Sequence, residues 1–429
     1  MISHVTRLPN GVRIATVEMP HMQTVSVGVW VTVGSRHEPE ELSGVSHFLE
    51  HLMFKGTKRR SARKITETVE GLGGYLNAFT TEDHTCYYAK AAAAHLPVLG
   101  DVLADMILHS QFPPAEIERE REVIREEILM VRDAPSQYVE ELLSEALWPG
   151  HPLGRPLTGT LESISGLNRE RLLDYKTSHY TGSTTLITVA GAASHEQVMK
   201  LIAPALEALP KGRVPRFQKF DYNKPPGKKA VARPWIKAVN DDSEQTHVAL
   251  GFHTAFGRGD ERRFALRLLS VILGENMSSR LFQRLRERNG ICYSIQTSVV
   301  SLQDAGALTV FAGLETGKLE RALRLTMTEL ERIATTPPGK SELRKAQDYL
   351  LGQTLMGLES TSNQMTWAGE SLMSFGRIID PAEAEKNFLA VTPEQVRAVA
   401  AEILKPSRLG VAICGPKPDA KKIQEWLGK

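Results

Sequence analysis

The hydrophobic pattern of this 429-residue chain predicts an α+β fold of two similar halves, in each of which helices cover a mainly antiparallel sheet. Three observations carry that expectation. The apolar strand Val25 to Val31 is followed by a helix around residue 50, and His247 to Phe252 is followed by a helix over Arg263 to Leu273. Near the two ends, Thr185 to Gly191 and Arg408 to Gly415 read as strands that lead into terminal helices. Between these repeats, Leu209 to Asp242 is rich in Lys, Arg and Pro, with Pro225-Pro226-Gly227 at its middle, and reads as a connection. The expected division is therefore residues 1–212, a connecting segment 213–244, and 245–429.

Each element has its own signal. Pro9-Asn10-Gly11 turns one strand back on another. Ser43 and Gly44 offer a helix start, Phe48, Leu49, Leu52 and Met53 its apolar positions, and Phe54-Lys55-Gly56 a stop. Gly73-Gly74 opens a hairpin arm that carries Asn77-Ala78-Phe79-Thr80. From Pro113-Pro114 to Pro135 runs a second helix, with Ile117, Val123, Ile124, Ile128 and Val131 as its expected buried stripe.

The chemistry concentrates in His47-Phe48-Leu49-Glu50-His51. On a helix His47 and His51 lie one turn apart, so both imidazoles can reach one ion while Glu50 projects beside them, free to act on a water. Zinc in hydrolases usually takes three protein ligands and keeps the fourth position open, so a third must come from elsewhere. Glu127, 76 residues past His51, is the candidate, and Glu120, two turns earlier on the same face, would stand behind the site. Taken alone, the five-residue motif points to metal more than to a packed histidine beside a surface carboxylate, whereas the charge run from Glu116 to Glu127 reads as a solvated face. The pairing with the His motif is what makes a ligand of Glu127. Counting 222 residues on from the motif reaches Leu269 to Leu273, which has no metal ligand, so one Zn2+ per chain is expected.

The chain resembles the pitrilysin-type peptidases with an inverted zinc motif, in particular the small class that includes mitochondrial processing peptidase subunits and bacterial relatives. The matching residues include Gly34-Ser35-Arg36, His47 to Thr57, Asn77 to Thr80, Glu120 to Glu127, His151 to Pro156, and Leu285-Arg286 to Tyr293-Ser294. The resemblance implies a zinc endopeptidase or oligopeptidase. His47, His51 and Glu127 would hold the ion, and Glu50 would take the proton of the water and return it to the leaving amine. It implies a substrate strand at Asn77, Ala78, Phe79 and Thr80 that takes peptides by strand addition. It also implies substrate binding by Arg286 and Tyr293, the guanidinium on a carboxylate or carbonyl and the phenol on the oxyanion. The second domain would thus serve structure or substrate binding.

Larger relatives join two such pairs of halves in one chain, so a dimer is implied, with the zinc half of one subunit facing the Arg286 and Tyr293 half of the other. A homodimer is the simpler form, because one sequence carries both segments; a heterodimer remains open. In the mitochondrial enzymes two acidic residues beyond the ligand glutamate help to recognise presequences, and their equivalents here resemble Gln137 and Glu141. Only one acid is kept, which favours a broader peptidase over dedicated presequence processing. A non-catalytic scaffold subunit of the same fold is the third alternative, opposed by the presence of all four motif residues.

Bulk composition narrows the rest. With 52 basic and 50 acidic residues, the net charge of +2 gives no electrostatic case for nucleic acid or an anionic membrane. Cys86, Cys292 and Cys414 are odd in number and scattered, and read as reduced thiols. Neither a leader at Met1 to Leu8 nor an apolar run of about 18 residues is visible. The expected location is the bacterial cytoplasm; a mitochondrial matrix protein without its transit peptide would read the same.

Overall fold

A computed structural model describes residues 2–221 and 234–427. It is a mixed helix and sheet fold with two mostly antiparallel sheets, and the chain divides into two compact units. The first unit is Met1–Ile128, Pro156–Gln218 and Thr354–Pro381; the second is Leu129–Arg155, Lys219–Gln353 and Ala382–Lys429. Each unit therefore borrows a segment from the other half of the sequence.

The first unit is built on strands β1 (Ile2–Arg7), β2 (Arg13–Glu18), β3 (Thr24–Val31), β4 (Tyr75–Thr80), β5 (Thr85–Ala92) and β6 (Thr185–Gly191), in the order β1-β2-β6-β3-β5-β4. All pairs are antiparallel except β2 with β6. Strand β3 is buried from Val25 to Val31 with no alternation, as expected for a strand covered on both faces. One face, with Val27, Val29, Val31 and Tyr87, packs in the core that holds Phe48, Leu49, Leu52 and Leu103. The opposite face, with Ala15, Trp30, Cys86 and Leu186, is covered by Met365, Ala368 and Leu372 of the helix Thr361–Phe375. That helix approaches so closely that a Cβ on Gly369 would lie 2.5 Å from Trp30 Cε2.

The second unit repeats the order with β7 (Trp235–Asn240), β8 (Gln245–Thr254), β9 (Cys292–Ser301), β10 (Gly306–Glu315) and β11 (Leu409–Gly415), arranged β7-β11-β8-β10-β9. Its one parallel pair, β7 with β11, corresponds to β2 with β6. Here too a helix from the other half of the chain lies on the sheet. Pro135–Leu147 packs Val139, Leu142, Leu143 and Leu147 on Ala249, Ala307 and Ala412, and a Cβ on Gly251 would lie 2.7 Å from Leu147 Cδ1. The segment over Leu269 to Leu273 is buried in the helix Arg262–Gly274, as core.

Two details differ from the sequence expectation. Within the segment 213–244, residues 222–233 lie outside the described residues, and Trp235–Asn240 forms strand β7. A short half-buried strand next to a Pro-rich and Lys-rich stretch leaves little periodicity to read. The second helix is Pro114–Arg132, with Ile117, Glu120, Ile124 and Ile128 buried, while Val123 is 43% exposed. Position 123 sits about 100° round the helix from Ile124, off the inward stripe. No helix among the described residues is long and apolar enough to cross a membrane.

Candidate metal and peptide site

The helix Val45–Leu52 begins at Gly44, whose φ of +89° and close approach to Thr158 O and Gly159 leave no room for a side chain. Its first N–H groups are satisfied by the buried Glu38, which accepts from Gly44 N at 2.7 Å and Ser46 N at 2.8 Å. Val45, Phe48, Leu49 and Leu52 are fully buried, which turns His47, Glu50 and His51 together toward the partly open side. On the helix Pro114–Arg132, Arg121 donates to Leu167 O at 2.8 Å and lies 5.6 Å over the Phe48 ring, tying this helix to the first.

These anchors bring Glu127 to the histidines. Its Oε2 lies 3.7 Å from Nε2 of His47 and 3.7 Å from Nε2 of His51. Among the described residues, His47, His51 and Glu127 form a grouping whose ligand atoms all lie within 4.8 Å of one another. Two imidazole nitrogens and one carboxylate oxygen are a donor set that zinc accepts, with a position left open, so these residues fit the ion. Glu120 Oε2 lies 3.1 Å from His51 Nδ1, which points Nε2 at the grouping, and Glu120 Oε1 lies 2.7 Å from Lys55 Nζ. His47 Nδ1 is buried with no hydrogen-bond partner among the described residues.

The electrostatics divide the two histidines. Burial, assisted by the charge of His51, pulls His47 down to about 4, so its ring is neutral at pH 7. Burial also opposes charge on His51, but its hydrogen bond with Glu120 and the nearby Glu127, Glu120 and Glu50 carboxylates outweigh it and raise its pKa. Burial pushes Glu50 up, against the hydrogen bond from Thr80. For Glu120 the effect of burial is overcome by its bonds with His51 and Lys55, which hold it below the usual carboxylate range.

Asn77, Ala78, Phe79 and Thr80 lie on β4, which among the described residues pairs only with β5 and so forms a sheet edge. Asn77 is exposed, and its Oδ1 accepts from Ala78 N at 2.8 Å. Phe79 packs with Trp30, ring centroids 5.8 Å apart, while Ala78 packs with the core of the opposite face. Arg286 and Tyr293 belong to the second unit: the guanidinium lies 5.1 Å over the Tyr293 ring and 4.8 Å over Phe282, and Tyr293 is 78% exposed at the start of the edge strand β9. In that unit Gln137 is exposed, and burial raises the pKa of Glu141 against the charge of Arg132. Sequence reasoning missed Glu38, Lys55 and the contact of Thr80 with Glu50. Lys55 had a signal, standing one helical turn after His51, but it read as part of the helix stop.

Two family models match this chain: "Insulinase (Peptidase family M16)" over residues 13–161 and "Peptidase M16 inactive domain" over residues 166–350. An "uncharacterized zinc protease" of Mycobacterium tuberculosis is 36% identical over 98% of this chain and 95% of its own. The "uncharacterized zinc protease YmxG" of Bacillus subtilis is 36% identical over 92% of this chain and 94% of its own. Among solved structures, a protease from Helicobacter pylori superposes with a TM-score of 0.89 at 22% identity, covering 97% of this chain and 99% of the other. A peptidase M16 inactive domain from Pseudomonas fluorescens gives 0.87 at 19% identity, with 97% and 99% covered. At these identities the two structures speak for the fold.

Proposed function

Because the chain belongs to peptidase family M16, we propose that it is a zinc metallopeptidase that hydrolyses peptide bonds in short or unfolded peptides. The observation that supports this reading is the convergence of His47, His51 and Glu127 beside Glu50 on a partly open face. One Zn2+ per chain would be held by those three residues. Bound there, zinc supplies Lewis acidity, polarising a carbonyl and lowering the pKa of water toward ~7.

The chain's own groups do the rest. Glu50 takes the proton of the attacking water and hands it to the leaving amine; the raised pKa that burial gives its carboxyl suits a group that must both accept and return a proton. Glu120, kept ionised by its bonds with His51 and Lys55, fixes the ring of His51. The free edge of β4 receives the peptide backbone as an added strand, which selects extended chain more than sequence. Arg286 and Tyr293 bind the substrate, Tyr293 by donating to the oxyanion. We place the chain in a homodimer in which one subunit's zinc-binding half works with its partner's Arg286 and Tyr293.

Zinc analysis together with mass-spectrometric mapping of cleavage in a peptide mixture tests the reading. About one zinc per chain and cleavage at defined bonds are expected. A chain that binds zinc and leaves a broad peptide library intact would overturn it.

A further inference from the structure

We infer that Thr80 is a positioning residue for the base: its hydroxyl holds Glu50 and ties the base to the strand that receives the substrate. The inference rests on the peptidase reading above. The Thr80 Oγ1 donates to Glu50 Oε2 at 2.5 Å, a charge-assisted contact between a half-buried hydroxyl and a half-buried carboxylate. Among the described residues no other side chain or backbone donor bonds to Glu50, so this hydroxyl is what fixes its rotamer. Oε1 is left for the proton of the water.

The strand pleat explains why residue 80 can do this. Side chains two apart share a face, so Thr80 points with Leu76 and Ala78 toward the face on which the His47 to His51 helix packs, while Phe79 points to the Trp30 face. Thr80 also pairs with Thr85 at the last register position of β4 with β5. Its backbone therefore belongs to the edge that adds the substrate strand, and its side chain belongs to the base. A helix-borne carboxylate held by a hydroxyl of that strand keeps its distance to a peptide bond laid along the same strand, which is the alignment that general base catalysis requires.

Thr80→Val keeps the shape and β propensity and removes only the donor; Thr80→Ser keeps the donor. In the zinc-loaded enzyme, Thr80→Val should lower kcat about tenfold with KM and zinc content unchanged, and Thr80→Ser should stay within about twofold of wild type. A Thr80 that served only substrate binding would raise KM when changed, and one that served only packing would tolerate Thr80→Val and lose activity in Thr80→Ser, which lacks the methyl group. Unchanged kcat in Thr80→Val, a KM effect alone, or a Thr80→Ser defect as large as that of Thr80→Val would each overturn the inference. Crystal structures of the same variants read the positioning without turnover: Glu50 should leave its wild-type rotamer in Thr80→Val and keep it in Thr80→Ser, and an unmoved Glu50 in the valine variant would overturn the inference. Wild-type enzyme that cleaves nothing would sink the peptidase reading separately.

Discussion

Glu120 Oε2 stands 3.1 Å from Nδ1 of His51, so the ring nitrogen left to face Glu127 is Nε2. The carboxylate is nearly buried and its second oxygen is held by Lys55, so both of its oxygens are committed. Replacing Glu120 by Gln, or Lys55 by Met, should weaken zinc binding about 10–100-fold without removing a ligand. Competition against a chelator of known affinity measures this. Affinity equal to wild type in both variants would show that the pair orients nothing.

Glu50 lies within the motif but outside the ligand grouping. Glu50→Gln should therefore keep about one zinc per chain while kcat falls about 10²–10⁴-fold, the range for loss of a general base. Zinc content and single-turnover cleavage report the two halves of the statement. Loss of zinc along with activity would make Glu50 a ligand.

The proposed sharing of each site between two subunits makes a quantitative prediction. Glu50→Gln and Arg286→Ala chains, each inactive alone, should regain about a quarter of wild-type activity after mixing and exchange, because half of the dimers are mixed and each mixed dimer has one intact site of two. Activity assays across mixing ratios, with light scattering for mass, check it. No recovery from a freely exchanging dimer would mean that each site is complete within one chain.

The close approach of Gly369 to Trp30 predicts a stability effect remote from the chemistry. Gly369→Val would drive methyl groups into the indole ring, in a helix that buries Met365, Ala368 and Leu372 on the sheet. Overpacking of this kind costs about 1–3 kcal/mol, read as a lower urea midpoint at unchanged slope. The same logic applies to Gly251 against Leu147.

Local signals made the elements legible: Gly44 and the apolar positions from Phe48 to Met53 announced the first helix, and seven-residue spacing put Glu120 and Glu127 on one face of the second. Long-range partnership was not legible. An apolar run such as β3 says that both faces are buried, but nothing in it names Met365 as the cover, more than 300 residues away. Likewise the acidic Glu38 gave no sign that it would cap the helix in place of Ser43, whose Oγ is buried with no hydrogen-bond partner among the described residues. Thr80 was legible as strand and not as a partner of Glu50, because periodicity assigns a face and leaves the facing atom open.

His37 gives the fold a pH dependence of known sign. Burial, aided by Arg36 and His179, lowers its pKa from 6.5 to about 4, despite the hydrogen bond with Gly34 O and the charge of Asp83. The folded ring is therefore neutral where the unfolded one takes a proton, so the unfolded state binds more protons between pH ~4 and ~6.5. His37 thus contributes stability that is complete above about pH 6.5, falls as the pH drops through that window, and is gone below about 4. The full shift corresponds to at most about 3 kcal/mol. In metal-free protein, where His47 falls in the same direction, His37→Asn isolates the contribution. Urea denaturation at pH 7 and pH 4.5 should show wild type losing more stability than the variant, by about 1–3 kcal/mol. Equal losses in the two proteins would place the titration of His37 elsewhere.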